Sequence, residues 1–306
     1  MKNITVGGYE KRDIQQQVAK VLRGLGNPEP PLDLRDVREL LKLDLQYYRS
    51  GDDDSVKEFV SKVKIGVKQI IARPTLLWDV IKKAKLSALW VPDRKRILVD
   101  AAAPVLKHRW YETHEINHSF IPWHQQFLLG DTEKELNPLC LEVIEAEANY
   151  GSGQLLFLQE RFTAQAMDMP LCLTSVQKIA KEFGNTITST LWRFVEEVCA
   201  EIPVVALVSA HPHYVEAAKN PAEPCRRCIE SPRFKREFGH LTEMELFGML
   251  SAYCSYKKRG PLGEDELVLT DANGENHFFH FESFSIGYDV LTLAVHKCKA
   301  GAVVGF

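Results

Sequence analysis

The sequence predicts an α+β protein in two parts: a mostly helical part with a short β-sheet over residues 1–200, then a smaller, strand-rich α+β part over 201–306. Three observations predict it. Apolar residues recur at helical spacing through most of the first part. One stretch there switches to two short apolar runs around a charged turn, and beyond Glu201 the texture turns to strands. With 306 residues the chain can bury a core without a disulfide or a structural metal.

Ile14, Val18, Val21, Leu22 and Leu25 form one face of a first helix, which GLGNPEPP stops near Gly26. Asp33 caps a second helix with Val37, Leu40 and Leu41 on one face, and GDDDS opens a third. The stripe of that third helix is Val56, Phe59, Val60, Val63, Val67 and Ile70, ended by Pro74. After a further helical segment, the runs Leu86 to Val91 and Ile97 to Val99 flank PDRKR, which reads as a β-hairpin. Pro104 suits a first helical turn and Pro122 interrupts the pattern, giving a helix over roughly 104–121. Asn137 followed by Pro138 starts another, running through LCLEVIEAEANYGSGQLLFLQERF.

SVQKIAKEF, GNT and ITSTLWRFVEEV then have helix-turn-helix proportions. These raise DNA binding, but Glu196, Glu197 and Glu201 would repel phosphates, which argues against it. PVVALVSA and MLSAYCSY read as strands, KKRG at 257–260 as a hairpin turn, and ELVLT and HFFHFESF as a hairpin joined by DANGEN.

A net charge of −3, from 38 basic and 41 acidic residues, gives no chain-wide reason to expect nucleic-acid or anionic-membrane partners. The sequence contains no apolar stretch of signal-peptide or membrane-span length, and its seven scattered cysteines fit reduced thiols, so a soluble, cytoplasmic protein is expected. Cys225 and Cys228, with His211 and His213 upstream, are enough in number for a structural zinc site, but a reduced surface CxxC is the plainer reading. The basic run PCRRCIESPRFKREF reads as a solvated face, or more sharply as a partner-docking patch.

The chemistry concentrates in RWYETHEINHSFIPWH. His114 and His118 lie one helical turn apart, so both imidazoles leave one helix face and can share a zinc ion, with Glu115 alongside to act on water. This is the HExxH pattern of zinc peptidases, and a third protein ligand is needed to leave the fourth position open. His124 stands ten residues after His114, but the metzincin spacing needs a glycine where this chain has Ile121 followed by Pro122. The alternative lies in EVIEAEANY. Glu145 has Asn149 one turn on, where it can hold an imidazole from behind, and this makes Glu145 the better ligand. Glu147 ranks second, and Glu142 is a supporting acid. Tyr111, Tyr150 and His124 are candidates for an oxyanion partner, each reading more readily as structural.

From the first helix through ILVDAAAP, RWYETHEINHSF, EAEANYGSGQLLF and KIAKEFGNTITSTLWRFVE, over roughly residues 10–200, the chain resembles the ImmA/IrrE family of bacterial metallopeptidases. The resemblance implies His114, His118 and Glu145 as metal ligands and Glu115 as catalytic base. Gly151-Ser152 stands where the family has Phe-Ala, and Phe157-Leu158 where it has Met-Pro. It further implies a carboxy-terminal sensing module, sometimes GAF-like, and a substrate that is a helix-turn-helix transcriptional repressor, cut in stress or in control of a mobile element. The expected function is thus a zinc-dependent cytosolic endopeptidase for one regulatory protein. Two alternatives stand beside it: a non-catalytic regulatory binding protein on the same fold, and a metzincin-like peptidase using His124.

Overall fold

The computed structural model describes residues 6–48, 88–91, 95–103, 105–128, 138–218 and 220–301. The expected third helix at 51–74, the helical segment after it, most of the PDRKR turn, Pro104 and Asn137 lie outside the described residues. The fold is mixed helix and sheet, with ten helices among the described residues. It divides into two compact units, Met1–Gln159 and Glu160–Phe306.

The first unit contains α1 (Gly8–Gly24), α2 (Leu34–Leu41), β1 (Asp44–Tyr48), β2 (Ala88–Val91), β3 (Arg96–Asp100), α3 (Val105–Phe120), α4 (Pro122–Leu128) and α5 (Pro138–Leu156). Asp33 caps α2 as expected, its carboxylate accepting the Arg35 N–H at 2.8 Å. The hairpin is present as the antiparallel pair β2–β3, and β1 adds parallel to β3 on its other side. No strand was expected at β1. Asp44, Gln46 and Tyr47 are exposed, so this polar edge strand carries little apolar pattern to betray it.

Helix α5 packs against both α1 and α3. The face joining them is apolar: Ile14, Val18, Ile116, Ala148 and Leu155 are fully buried, and burying a large aliphatic side chain contributes about 1.5–3 kcal/mol. At the crossing, a Cβ on Gly151 would lie 2.2 Å from Asn117 Oδ1 and 3.2 Å from Ile14 Cγ2. Ser152 Oγ accepts from Asn117 Nδ2 at 3.3 Å. Gly151-Ser152 therefore forms a matched set with Asn117, the glycine making room for the side chain and the serine bonding it. A partly buried ion pair, Arg38 Nε to Glu112 Oε1 at 2.7 Å, ties α2 to α3.

The second unit holds α6 (Glu160–Met167), α7 (Leu173–Phe183), α8 (Ile187–Arg193, continued by one wider turn to Val198), β4 (Val204–Ser209), β5 (Cys225–Glu230), α9 (Pro232–Phe238), α10 (Glu243–Met249), β6 (Gly260–Thr270), β7 (Asn276–Ser285) and β8 (Val290–Lys299). Its sheet is five-stranded and antiparallel, in the order β5-β4-β8-β7-β6. The unit begins some forty residues before the boundary expected from sequence texture. Helices α7 and α8 pack on strands β7 and β4, so the helical segment 160–198 shares a contact unit with the sheet that follows it. The helix-turn-helix shape is present, with Gly184 left-handed at φ 66° and Thr186 capping α8. Among residues 187–198 only Glu196 is exposed, so this second helix offers no open face.

MLSAYCSY is not a strand. Thr242 and Glu245 form a reciprocal capping box that starts α10, and Leu250–Ala252 make a final tight turn, so KKRG is the loop into β6 rather than a hairpin turn. PRFKREF is helix α9, capped by Ser231 with Pro232 in its first turn. The CxxC is not on the surface. Beside Arg226 the register of β5 shifts against β4, and Cys225 is buried while Cys228 packs on the same apolar cluster, with Phe234, Phe238 and Phe279. Among the described residues no helix is long and apolar enough to cross a membrane.

Candidate metal centre

Helix α3 presents His114 and His118, one turn apart, toward α5. Their Nε2 atoms are 3.1 Å from each other. Glu145 on α5 places Oε2 3.0 Å from His114 Nε2 and Oε1 3.5 Å from His118 Nε2. All three residues lie within ligand reach of one point. Glu145 stands on the open side of the group, whereas His118 is buried.

What lies behind the imidazoles decides their chemistry. His114 Nδ1 is 3.1 Å from Asn149 Oδ1, an atom that can only accept, so Nδ1 carries the proton and Nε2 is left as a lone pair. His118 Nδ1 faces His124 Nδ1 at 3.0 Å, and His124 Nε2 lies 2.8 Å from Glu147 Oε2. Glu147 also accepts from Trp123 Nε1 at 2.7 Å. A carboxylate only accepts, so neutral His124 carries its proton on Nε2. Its Nδ1 then accepts from His118 Nδ1–H, and the His118 Nε2 lone pair points at Glu145. Two nitrogen lone pairs and a carboxylate thus converge, an arrangement that repels itself unless a proton or a cation sits among them. The donor set, two imidazoles and one carboxylate, fits zinc.

Charge follows this geometry. Burial holds the His118 pKa down, to about 4, with Glu145 offsetting it only in part. Burial also disfavours charged His114, but the Glu145 hydrogen bond and the charges of Glu115 and Glu145 outweigh it and raise its pKa. Glu145 is held well below the usual carboxylate range, the two histidines overriding its burial. Glu147 is lowered too, His124 and Trp123 overriding burial. Of the two imidazoles, His114 is the one that holds a proton more readily.

His114, His118, Glu145 and Asn149 stand in the arrangement expected from helical spacing, and Glu115 is buried on α3 with its charge felt at His114. His124 and Glu147 do not join the convergent atoms. Pro122 starts α4 with Ile121 alone between it and the end of α3, which sets His124 against the far nitrogen of His118, and Glu147 follows it there. Both therefore stand behind His118, outside the group that could hold a metal. Glu142 is exposed on α5. The Tyr150 hydroxyl is engaged by Gln15 Nε2 at 2.9 Å, an anchor to α1. In the second unit, His211 and His213 bond the backbone carbonyls of Lys257 (3.0 Å) and Cys254 (2.7 Å), and burial pushes the Cys225 and Cys228 thiols up to about 11 and about 12. Among the described residues these four do not form a ligand group. The His124–Glu147 pairing was missed as such; its signal was an aromatic-flanked histidine beside a second glutamate on the ligand helix.

No family model and no curated protein matches the sequence. Among solved structures, a chain named Mycobacterium tuberculosis transcriptional regulator has a similar fold, with a TM-score of 0.51 at 11% identity. The match covers 94% of this chain and 76% of that one.

Proposed function

We propose that the chain is a zinc-dependent endopeptidase that cleaves one regulatory protein, a helix-turn-helix transcriptional repressor by the resemblance its motifs carry. The observation that supports this reading is the convergence of His114 Nε2, His118 Nε2 and the Glu145 carboxylate, with Glu115 next in the chain to His114. His114, His118 and Glu145 would hold the zinc ion, which when bound would supply a Lewis acid to polarise a scissile carbonyl and acidify water. Glu115 takes the proton from the attacking water and passes it to the amine nitrogen as the C–N bond breaks. Asn149 and the His124–Glu147 pair hold the two imidazoles in the tautomer that leaves Nε2 free. The regulatory role agrees with the name of the structural neighbour, and the strand-rich second unit is the natural place for control of activity.

The test compares the wild type with Glu115→Gln, after elemental analysis has shown equal zinc content. Both are expressed beside small helix-turn-helix proteins, and new protein N-termini are read by mass spectrometry. Cleavage by the wild type alone supports the peptidase. The same biological effect from both proteins, without new termini, would move the chain to the non-catalytic binding class.

A further inference from the structure

A second group of ligand-type side chains lies at the turn of the β6–β7 hairpin. Asp271 follows β6, and its Oδ1 accepts the backbone N–H groups of Asn273 (2.9 Å) and Glu275 (2.8 Å), which fixes the carboxylate. Glu275 and His277 follow on the return limb, and ligand atoms of all three lie within 4.8 Å of one another.

One atom in this group is unsatisfied. His277 Nε2 is buried and has no hydrogen-bond partner. The Asp271 Oδ2 atom is 3.5 Å away, too far for a sound N–H···O bond, and already accepts from Asn273 Nδ2 at 3.3 Å. The other ring nitrogen, Nδ1, faces His296 Nε2 of β8 at 3.0 Å, and between two neutral rings one proton serves that contact. With the proton on His277 Nδ1, Nε2 is a bare lone pair facing an anionic oxygen. With it on His296, His277 Nε2–H is a buried donor whose neighbouring acceptor, Asp271 Oδ2, stands off at 3.5 Å without a hydrogen bond. Neither arrangement satisfies the atom, whereas a cation between imidazole and carboxylate does. The Phe238 ring, centred 5.3 Å from the imidazole and nearly perpendicular to it, keeps His277 in place. Lys299 pairs with Glu275 Oε1.

We infer that Asp271, Glu275 and His277 form a second divalent-cation site, in the second unit and separate from the HExxH group. One imidazole nitrogen with two carboxylates suits zinc or manganese better than the all-oxygen shells of calcium or magnesium. Lys299 opposes the cation, so the site is weaker than its ligand number suggests.

The experiment removes the first group and leaves the full chain. A His114→Ala/Glu145→Ala protein, freed of metal with a chelator, is titrated calorimetrically with zinc and with manganese chloride. The expected result is saturable uptake at micromolar metal, weakened at least about ten-fold by Asp271→Asn and by His277→Gln, and tightened by Lys299→Ala. Asp271→Asn keeps an acceptor for the turn's N–H groups, so it removes the charge and not the fold; unchanged thermal melting by circular dichroism checks this. No uptake up to millimolar metal, or uptake indifferent to both substitutions, overturns the inference. Either outcome is independent of whether the HExxH group cleaves peptides.

Discussion

Each unit holds a pair of histidines with ring nitrogens 3.0 Å apart, and the two pairs end differently. Behind His118 and His124 stands Glu147, buried and 2.8 Å from the outer imidazole. Behind His277 and His296 no carboxylate is hydrogen-bonded to the outer ring among the described residues. The carboxylate gives the first pair a direction. It fixes the proton on His124 Nε2, hence that on His118 Nδ1, and so delivers a lone pair to the ligand group. In the second pair the shared proton has no such anchor, and burial lowers the His296 pKa with His277 adding to the effect. A histidine pair becomes a metal-ready device when something beyond it decides where its protons sit.

The comparison can be broken at four places. The largest effect is expected from Glu145→Ala, which removes the carboxylate of the first convergence: stoichiometric zinc in the purified wild type should be absent from the variant by elemental analysis. Retained zinc would mean that another group is the third ligand. Next come His124→Ala and Glu147→Gln, which leave the three proposed ligands in place but release the tautomer of His118. Zinc affinity measured against a competing chelator should fall about 10–100-fold in each. A complete loss with His124→Ala, beside retention in Glu145→Ala, would promote His124 to ligand.

A smaller effect is the proton count. The raised pKa of His114 means that the empty group holds a proton there below that pKa, and an ion must displace it. Affinity should therefore fall as pH drops through the His114 pKa, with one proton released per zinc below it and almost none well above. His118, at about 4, is already neutral near neutral pH and should add no release there. Calorimetry in buffers of different ionisation enthalpy reads this directly, and proton release that does not change with pH would contradict it. The smallest effect is expected from His296→Ala, which lacks a carboxylate behind it and should weaken the hairpin site by less than the roughly 10-fold lower bound for anchored outer partners. A larger drop would show that the second pair is as directional as the first.

Helical spacing made much of this site legible. His114 to His118 and Glu145 to Asn149 are both steps of four, so each pair shares a face whatever the rest of the chain does. The capping aspartate of α2 and the hairpins β2–β3 and β6–β7 were equally local. Other local signals were present and passed over: Ser231-Pro232 and the Thr242–Glu245 box mark α9 and α10, the second just ahead of a run that only looked like a strand.

The sequence by itself determined which residues could become ligands, because backbone periodicity aims side chains within a single helix. Tertiary structure decided which of three acids, Glu142, Glu145 or Glu147, faces the histidines, and that His124 supports His118 without joining it. Those outcomes depend on the turn at Ile121–Pro122 and on how closely α5 approaches α3 over Gly151. The division of the chain likewise followed from the packing of α7 and α8 on strands that come later in the sequence. Contacts between residues distant in sequence are set by side-chain packing that no local period encodes.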